Sequence, residues 1–370
     1  MDILCDLVLL SWNHLEETRP CLESLFRHTD VPSRLLIVDN GSESRVRRAL
    51  EAVRPQDAIQ DVVLLQNETN EGFRKGMNRG LRASRAPYVC LLNNDTQVTT
   101  GWLKRMVEVA EAHPEIGVLN PSSNIFGDRP CAGESLEAHA GCLVSRRGEW
   151  VEVGTCIGFC LLIKRAVIDQ IGVLIEEEPA FFFEDDDYSR RAQAAGFFCA
   201  VVPSAYVYHA EHGSIRQLPL RERVFRESRR AYRRRWGRLL RVAYLPEVPA
   251  PLGSSALCEV MDRAVGWARR RSLVYLYAEG SGGTSRDEAF RSVGRVPHAD
   301  VLWSPCVGGP RKLWRILKRQ KKRFDLILTS DATLARWLRA LGWLHGASVV
   351  DPRDGARLEE LWQAKSRSQS

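Results

Sequence analysis

At four places an apolar, β-rich run ends abruptly in residues that a core would reject. Leu4 to Leu10 empties into Ser11-Trp12-Asn13, Leu35 to Val38 into Asp39-Asn40-Gly41-Ser42, Val62 to Leu65 into Asn67 and Asn70, and Tyr88 to Leu92 into Asn93-Asn94-Asp95. Turn chemistry accounts for any one such exit, because Asn, Asp and Ser hydrogen-bond to their own backbone. Four in succession point to a shared polar site. Further on, three phenylalanines lead into Glu184-Asp185-Asp186-Asp187, and Tyr206-Val207-Tyr208 leads into His209. Crowded carboxylates raise one another's pKa, so placing four together is costly.

The elements that must hold these residues alternate. Amphipathic stretches at Leu15 to His28, Ser44 to Val53 and Gly72 to Ala83 lie between the strand-like runs. That order implies an α/β fold with a mostly parallel sheet covered by helices, in which ligands gather at the carboxyl ends of strands. From about residue 270 a second, smaller β/α array follows. Leu273 to Ala278, Asp300 to Trp303, Leu326 to Thr329 and Ser348 to Val350 are strand-like, and Ser285 to Val293, Arg311 to Lys322 and Ala332 to Leu341 are helical. The expected organisation is therefore a domain over 1–245, a Pro/Gly/Ser-bearing linker over 246–269, a module of unassigned role over 270–364 and a polar tail over 365–370.

Asn70-Glu71-Gly72-Phe73, followed by Asn78 and Gly80, together with the strand exits, resembles family 2 glycosyltransferases of the GT-A fold, in particular their rhamnosyltransferase-like branch. The resemblance spans roughly residues 3–240. It implies transfer of a sugar from a nucleoside diphosphate donor to an acceptor hydroxyl with inversion, assisted by a divalent metal, Mn or Mg. Asn93-Asn94-Asp95 stands where the family has its D-x-D-type motif. Asp95 would then be a metal ligand, with Asn93 and Asn94 near the ribose or diphosphate and one negative charge fewer than the family pattern.

By the same resemblance Asp39, Ser11 and Asn13 surround the nucleobase or ribose, and Asn70, Gly72 and Asn78 the donor nucleotide. Glu184-Asp185 matches the family's Glu-Asp pair opening a helix, with Asp185 as the base and Glu184 against substrate, while Asp186 and Asp187 read as helix-capping charges. His209, or His212 if the loop is displaced, completes the metal shell. Gly154 to Cys160 would line the acceptor side, with Thr155 as a contact.

The implied donor is a dTDP- or UDP-sugar, and the implied acceptor a glycan or lipid carrier. A noncatalytic sugar-nucleotide-binding protein and a metal-dependent nucleotidyltransferase are the other classes. The latter should carry a Gly-rich basic loop where Ser11-Trp12-Asn13-His14 stands.

The net charge of +7 has a local source: residues 221–241 hold ten Arg and two Glu, +8, leaving about −1 elsewhere. Phe225, Tyr232, Trp236 and Leu239 recur there at helical spacing. The segment reads as a docking helix, with peripheral contact at the inner face of a membrane as an added role. Nucleic acid is not an expected partner, since no reader motif accompanies the charge. Ten cysteines without a C-x-x-C pair read as reduced core thiols in a cytoplasmic protein. The N-terminus lacks the basic start of a secretory signal, and the densest apolar stretch, Cys156 to Ile163, is far below the ~20 residues of a membrane span. Gly280-Ser281-Gly282-Gly283-Thr284-Ser285 could cradle a phosphate or serve as a connector.

Overall fold

The computed structural model describes residues 2–176, 182–210, 221–247, 250–278, 284–304, 314, 316–318 and 322–367. The chain divides into two compact units, Met1–Ala231 and Tyr232–Ser370.

In the first unit, β1 (Cys5–Ser11), β2 (Ser33–Asp39), β3 (Ile59–Gln66) and β4 (Tyr88–Asn93) are all parallel, in the order β3-β2-β1-β4. The helices between them are α1 (Leu15–His28), α2 (Ser44–Glu51) and α3 (Phe73–Ala83). Register brings the strand ends level: Ser11 lies opposite Asp39, Asp39 opposite Gln66 and Leu10 opposite Asn93. The spacing of buried positions explains each helix. In α1 Thr18, Cys21, Leu22 and Leu25 face inward, one stripe of a 3.6-residue period.

Past β4 the sheet changes character. β5 (Thr96–Val98), α4 (Trp102–Ala112), β6 (Ile116–Ser122), α5 (Leu136–Leu143), β7 (Val151–Val153), β8 (Cys160–Lys164), α6 (Arg165–Ile171), α7 (Glu184–Ala194) and β9 (Phe198–His209) follow. β8 runs antiparallel between β4 and β6, β9 lies parallel beside β6, and β5 folds back antiparallel onto the end of β9. One core of Leu7, Leu9, Leu35, Ile37, Trp102 and Phe159, among others, underlies the sheet.

The second unit has an all-parallel five-stranded sheet. It comprises β10 (Leu240–Leu245), α9 (Ser255–Arg269), β11 (Ser272–Leu276), α10 (Arg286–Ser292), β12 (Val301–Trp303), β13 (Leu326–Thr329), α11 (Ala332–Ala340), α12 (Gly342–His345), β14 (Ser348–Val350) and α13 (Gly355–Arg367). The strand order is β12-β11-β10-β13-β14.

The expected division at 245 and the linker over 246–269 therefore need correction. β10 is the central strand of the second sheet, and α9 buries Leu257, Met261, Ala264 and Ala268 in that unit's core. Pro246, Pro249, Pro251 and Gly253 punctuate the approach to α9, whose own i, i+4, i+7 apolar pattern marks a packed helix. The polar tail is also shorter than expected, because α13 runs to Arg367. Of the helix expected over Arg311 to Lys322, residues 314, 316 and 317 are helical and the flanking positions lie largely outside the described residues. Ser285 caps α10 in a capping box with Glu288, and the glycines before it lie outside the described residues.

The Arg-rich segment forms α8 (Arg221–Trp236), and the division between units falls within it. Phe225 packs on Phe182 and Phe183, and Tyr232 is buried. Leu239 lies beyond the helix and is exposed, so it is not part of the stripe. Cys131 and Cys142 are exposed as well, so not every thiol is a core thiol. Among the described residues no helix is long and apolar enough to cross a membrane.

α3 lies close against β1 because it presents glycines there. A Cβ on Gly80 would come within 2.2 Å of Val8 Cγ1, whereas one on Gly76 would meet the mobile end of Leu10. Val8 is fully buried and stiff at χ1. Gly80→Ala is therefore expected to destabilise despite the ~1 kcal/mol that Ala gains over Gly in a helix, since overpacking costs roughly 1–3 kcal/mol. Gly76→Ala should be neutral or stabilising. Urea melts of the two variants check the difference.

Candidate active site

The exits of β1, β2 and β3 are bound into one cradle. Asp39 Oδ1 accepts from the Ser42 backbone at 3.0 Å, and Ser42 Oγ accepts from the Asn13 backbone at 2.9 Å. Asn13 Oδ1 in turn accepts from the Glu43 backbone. Asn40 is the hub. Its amide nitrogen donates to Asn70 Oδ1 (2.8 Å) and the Gly72 carbonyl (3.2 Å), while its oxygen accepts from Asn67 Nδ2 and the Glu71 backbone. Gly72, with φ 82° and ψ 170°, opens α3 in a conformation that favours glycine.

From the cradle the contacts run on toward β4. Ser11 Oγ shares a hydrogen bond with Thr18 Oγ1 at 3.2 Å, and Thr18 accepts from Asn94 Nδ2 at 2.9 Å. Asp95 follows directly. Thr96 lies opposite His209 in the β5–β9 ladder, and the Ala210 backbone donates to the Asp95 carbonyl. His209 Nε2 consequently stands 3.1 Å from Asp95 Oδ1. Asn124 holds the histidine's backbone from both sides, donating to its carbonyl and accepting from its N–H, each at 2.8 Å.

The 154–160 loop closes the circuit. Phe159 stacks on the His209 ring, with centroids 5.5 Å apart and an 18° tilt, and its carbonyl accepts from the Asn93 backbone. The preceding Gly158 N–H donates to Asp185 Oδ2 at 2.9 Å. Thr155 lies half-buried in the same loop. Asp187 is occupied by Arg191 at 2.8 Å, in keeping with a structural role. Burial lifts Glu184 to about 8 and Asp185 to about 6; the neighbouring Asp186 charge adds to the rise of Asp185 and the Gly158 N–H opposes it.

Asn78 requires correction. It is fully buried, and its amide is committed to the Leu174 backbone and Glu176, so it fixes the 174–176 segment and does not face a ligand. His212 lies outside the described residues. Thr18 and Asn124 join the site without a sequence expectation, while Asn40 and Asn67 stand in the polar strand exits, and Phe159 in the 154–160 segment, without an individual role assigned there. Asn124 had a readable signal, since β6 exits into Ser123-Asn124 as a fifth polar strand end.

Several buried polar side-chain atoms have no hydrogen-bond partner among the described residues, and four belong to the named site: Asp39 Oδ2, Asn93 Oδ1, Glu184 Oε2 and His209 Nδ1. Asp39 Oδ2 has only an ion-pair contact with Arg47 Nε, at 3.4 Å. Buried polar groups are normally satisfied, so such a concentration marks a surface built for a polar ligand. Backbone strain points the same way: of the non-glycine residues with positive φ, Asn13, His14 and Phe183 flank this site. Among the described residues no three His, Cys, Asp or Glu side chains gather to hold a metal. The Asp95–His209 pair, one carboxylate and one imidazole, would suit a divalent cation that takes further oxygen ligands from elsewhere.

Residues 6–172 match the family model for glycosyl transferase family 2. With its mostly parallel sheet, the first unit has the expected α/β class of fold. Protein y4gI of Sinorhizobium fredii is 28% identical over 255 residues, covering 63% of this chain and 27% of that one. An uncharacterized glycosyltransferase of Haemophilus influenzae is 28% identical over 116 residues, 31% of this chain and 37% of its own. The chain thus spans well under half the length of these curated relatives. Among solved structures, a mannosyltransferase from Pyrobaculum calidifontis in complex with GDP-Man and Mn2+ aligns at 15% identity and TM-score 0.44, over 62% of this chain and 64% of that one. S. aureus TarS 1-349 in complex with UDP-GlcNAc aligns at 17% and 0.44, over 57% and 60%.

The raised carboxyls have a consequence for stability. With folded pKa values above the unfolded carboxylate range, the folded state binds more protons than the unfolded one between about pH 4 and 8. Their favourable contribution is complete below that window and is lost as pH rises through about 6 and 8. Glu184→Gln should therefore raise Tm relative to the parent at pH 9 and leave it nearly unchanged at pH 4.5. Thermal melts across pH check this.

Proposed function

We propose that this chain is an inverting glycosyltransferase that moves a sugar from a dTDP- or UDP-linked donor to a hydroxyl of a glycan or lipid-linked acceptor. The observation that carries the proposal is the unbroken run of contacts from Asp39 through Ser11, Thr18, Asn94, Asp95, His209 and Phe159 to Asp185. It joins a nucleoside cradle, a cation pair and a base along one sheet edge, and the family 2 match supports the same reading.

Asp39 and the Asn40-centred loop take the nucleoside. Asp95 and His209 would hold a divalent ion, whose positive charge would stabilise a departing diphosphate. Asp185 accepts the acceptor hydroxyl's proton as that oxygen bonds to the anomeric carbon on the face opposite the breaking C–O bond. The Gly158 N–H fixes the Asp185 carboxylate for this, and a pKa near 6 leaves it ionised yet basic at neutral pH. Glu184, raised further, is protonated at neutral pH and can donate a hydrogen bond to the sugar or acceptor.

Asp185→Asn should lower kcat by about 10²–10⁴ while donor affinity stays within about threefold, as expected for loss of a general base. Transfer assays with a panel of nucleotide sugars, alongside donor-binding titrations, check it. Unchanged turnover would remove Asp185 from the mechanism, and nucleotide-sugar binding without turnover in the parent would favour a noncatalytic binding protein.

A further inference from the structure

The two helical layers of the second unit treat their tryptophans in opposite ways. On the sheet face covered by α9 and α13, Trp267 and Trp362 are buried in the core. On the other face, Ile316, Leu334 and Leu338 pack inward against Phe324 and Ile327, while the same layer turns tryptophans outward. Trp314 and Trp337 are each 60% exposed, Trp343 is 78% exposed and Leu344 is 39% exposed.

Basic residues accompany these tryptophans along the chain. Lys318 sits over Trp314, its ammonium 4.6 Å from the ring centroid. Arg323, Arg336 and Arg339 are exposed and have no hydrogen-bond or ion-pair partner among the described residues. The described positions 314, 316–318, 322–323 and 336–344 include no Asp or Glu. Residues 311–323 hold eight Lys and Arg and no acid, so the sum of about −1 outside 221–241 conceals a second basic block. The positive charge of the chain therefore has two local sources, 221–241 and 311–323.

We propose that this layer of the second unit is a docking surface for a bilayer rich in anionic phospholipid. Indole rings favour the headgroup level, where an apolar body and a polar N–H are both accommodated. Clustered basic residues are drawn to a negatively charged leaflet. Three outward tryptophans on separate segments, with basic residues and no acid at the neighbouring described positions named above, offer both interactions at once. This surface is distinct from α8, whose Phe225 and Tyr232 are engaged by the protein itself.

The test is co-sedimentation of the full chain with phosphatidylcholine vesicles, with and without phosphatidylglycerol, at low and high salt. The parent should bind only the anionic vesicles, release with salt and shift its indole emission to the blue. Trp337→Ser/Trp343→Ser and Arg336→Ser/Arg339→Ser should each weaken partitioning by about tenfold or more. Melting temperature and solution transfer activity should be retained, since these side chains are exposed and outside the active site. The proposal is overturned if the parent ignores anionic vesicles, if the tryptophan variant sediments like the parent, or if the substitutions instead abolish self-association or binding to a protein.

Discussion

The register that places Thr96 opposite His209 governs the candidate site. β5 is only three residues long, and by itself Thr96–Val98 would hardly specify a strand. Paired antiparallel to the end of β9, it fixes the turn after β4, so that Asp95 and His209, distant in sequence, meet at 3.1 Å. Asn124 clamps the same histidine through its backbone, and Phe159 holds its ring. The Asp95–His209 pair is thus positioned by main-chain pairing and stacking. A one-residue slip in the ladder would turn the side chains to the opposite face.

Two edges of the same sheet show what separates a structural carboxylate from a functional one. Asp6, at the amino edge, is fully buried and fully engaged: it takes Arg34 through both oxygens and the backbone N–H groups of Arg85 and Ala86. It locks β1 to its neighbours and has nothing left to offer a ligand. At the carboxyl edge Asp39, Asn93, Glu184 and His209 each retain a buried polar atom without a hydrogen-bond partner among the described residues. Leaving such groups unmatched costs about 1–3 kcal/mol each, a cost that a bound polar ligand can offset.

Much of the first unit was readable in advance because its elements obey simple periods. α1 begins and ends where its apolar stripe does, and the four parallel strands coincide with the four β-rich runs. The strand exits announced the site for the same reason, since parallel strands present their carboxyl ends together. What escaped was information carried by long-range pairing. Asn40 reads as a turn residue until its bonds to Asn67, Asn70 and Gly72 are seen. Asn78 matches the family pattern yet is consumed by Leu174 and Glu176. β10 was assigned to the wrong unit because composition does not say which sheet a strand joins; its partners β11 and β13 lie farther along the chain.

On the proposed reading, Asp95 and His209 are the ligands offered among the described residues, so the cation's shell would be completed by the substrate, and metal and nucleotide should bind together. Titrating Mn2+ by electron paramagnetic resonance, with and without saturating UDP or dTDP, tests this directly. The account predicts weak binding of Mn2+ alone, on the order of millimolar or weaker. Affinity should rise at least about tenfold with a nucleoside diphosphate, and Asp95→Asn should abolish that enhancement. Tight Mn2+ binding without nucleotide, or an enhancement that survives in Asp95→Asn, would contradict it.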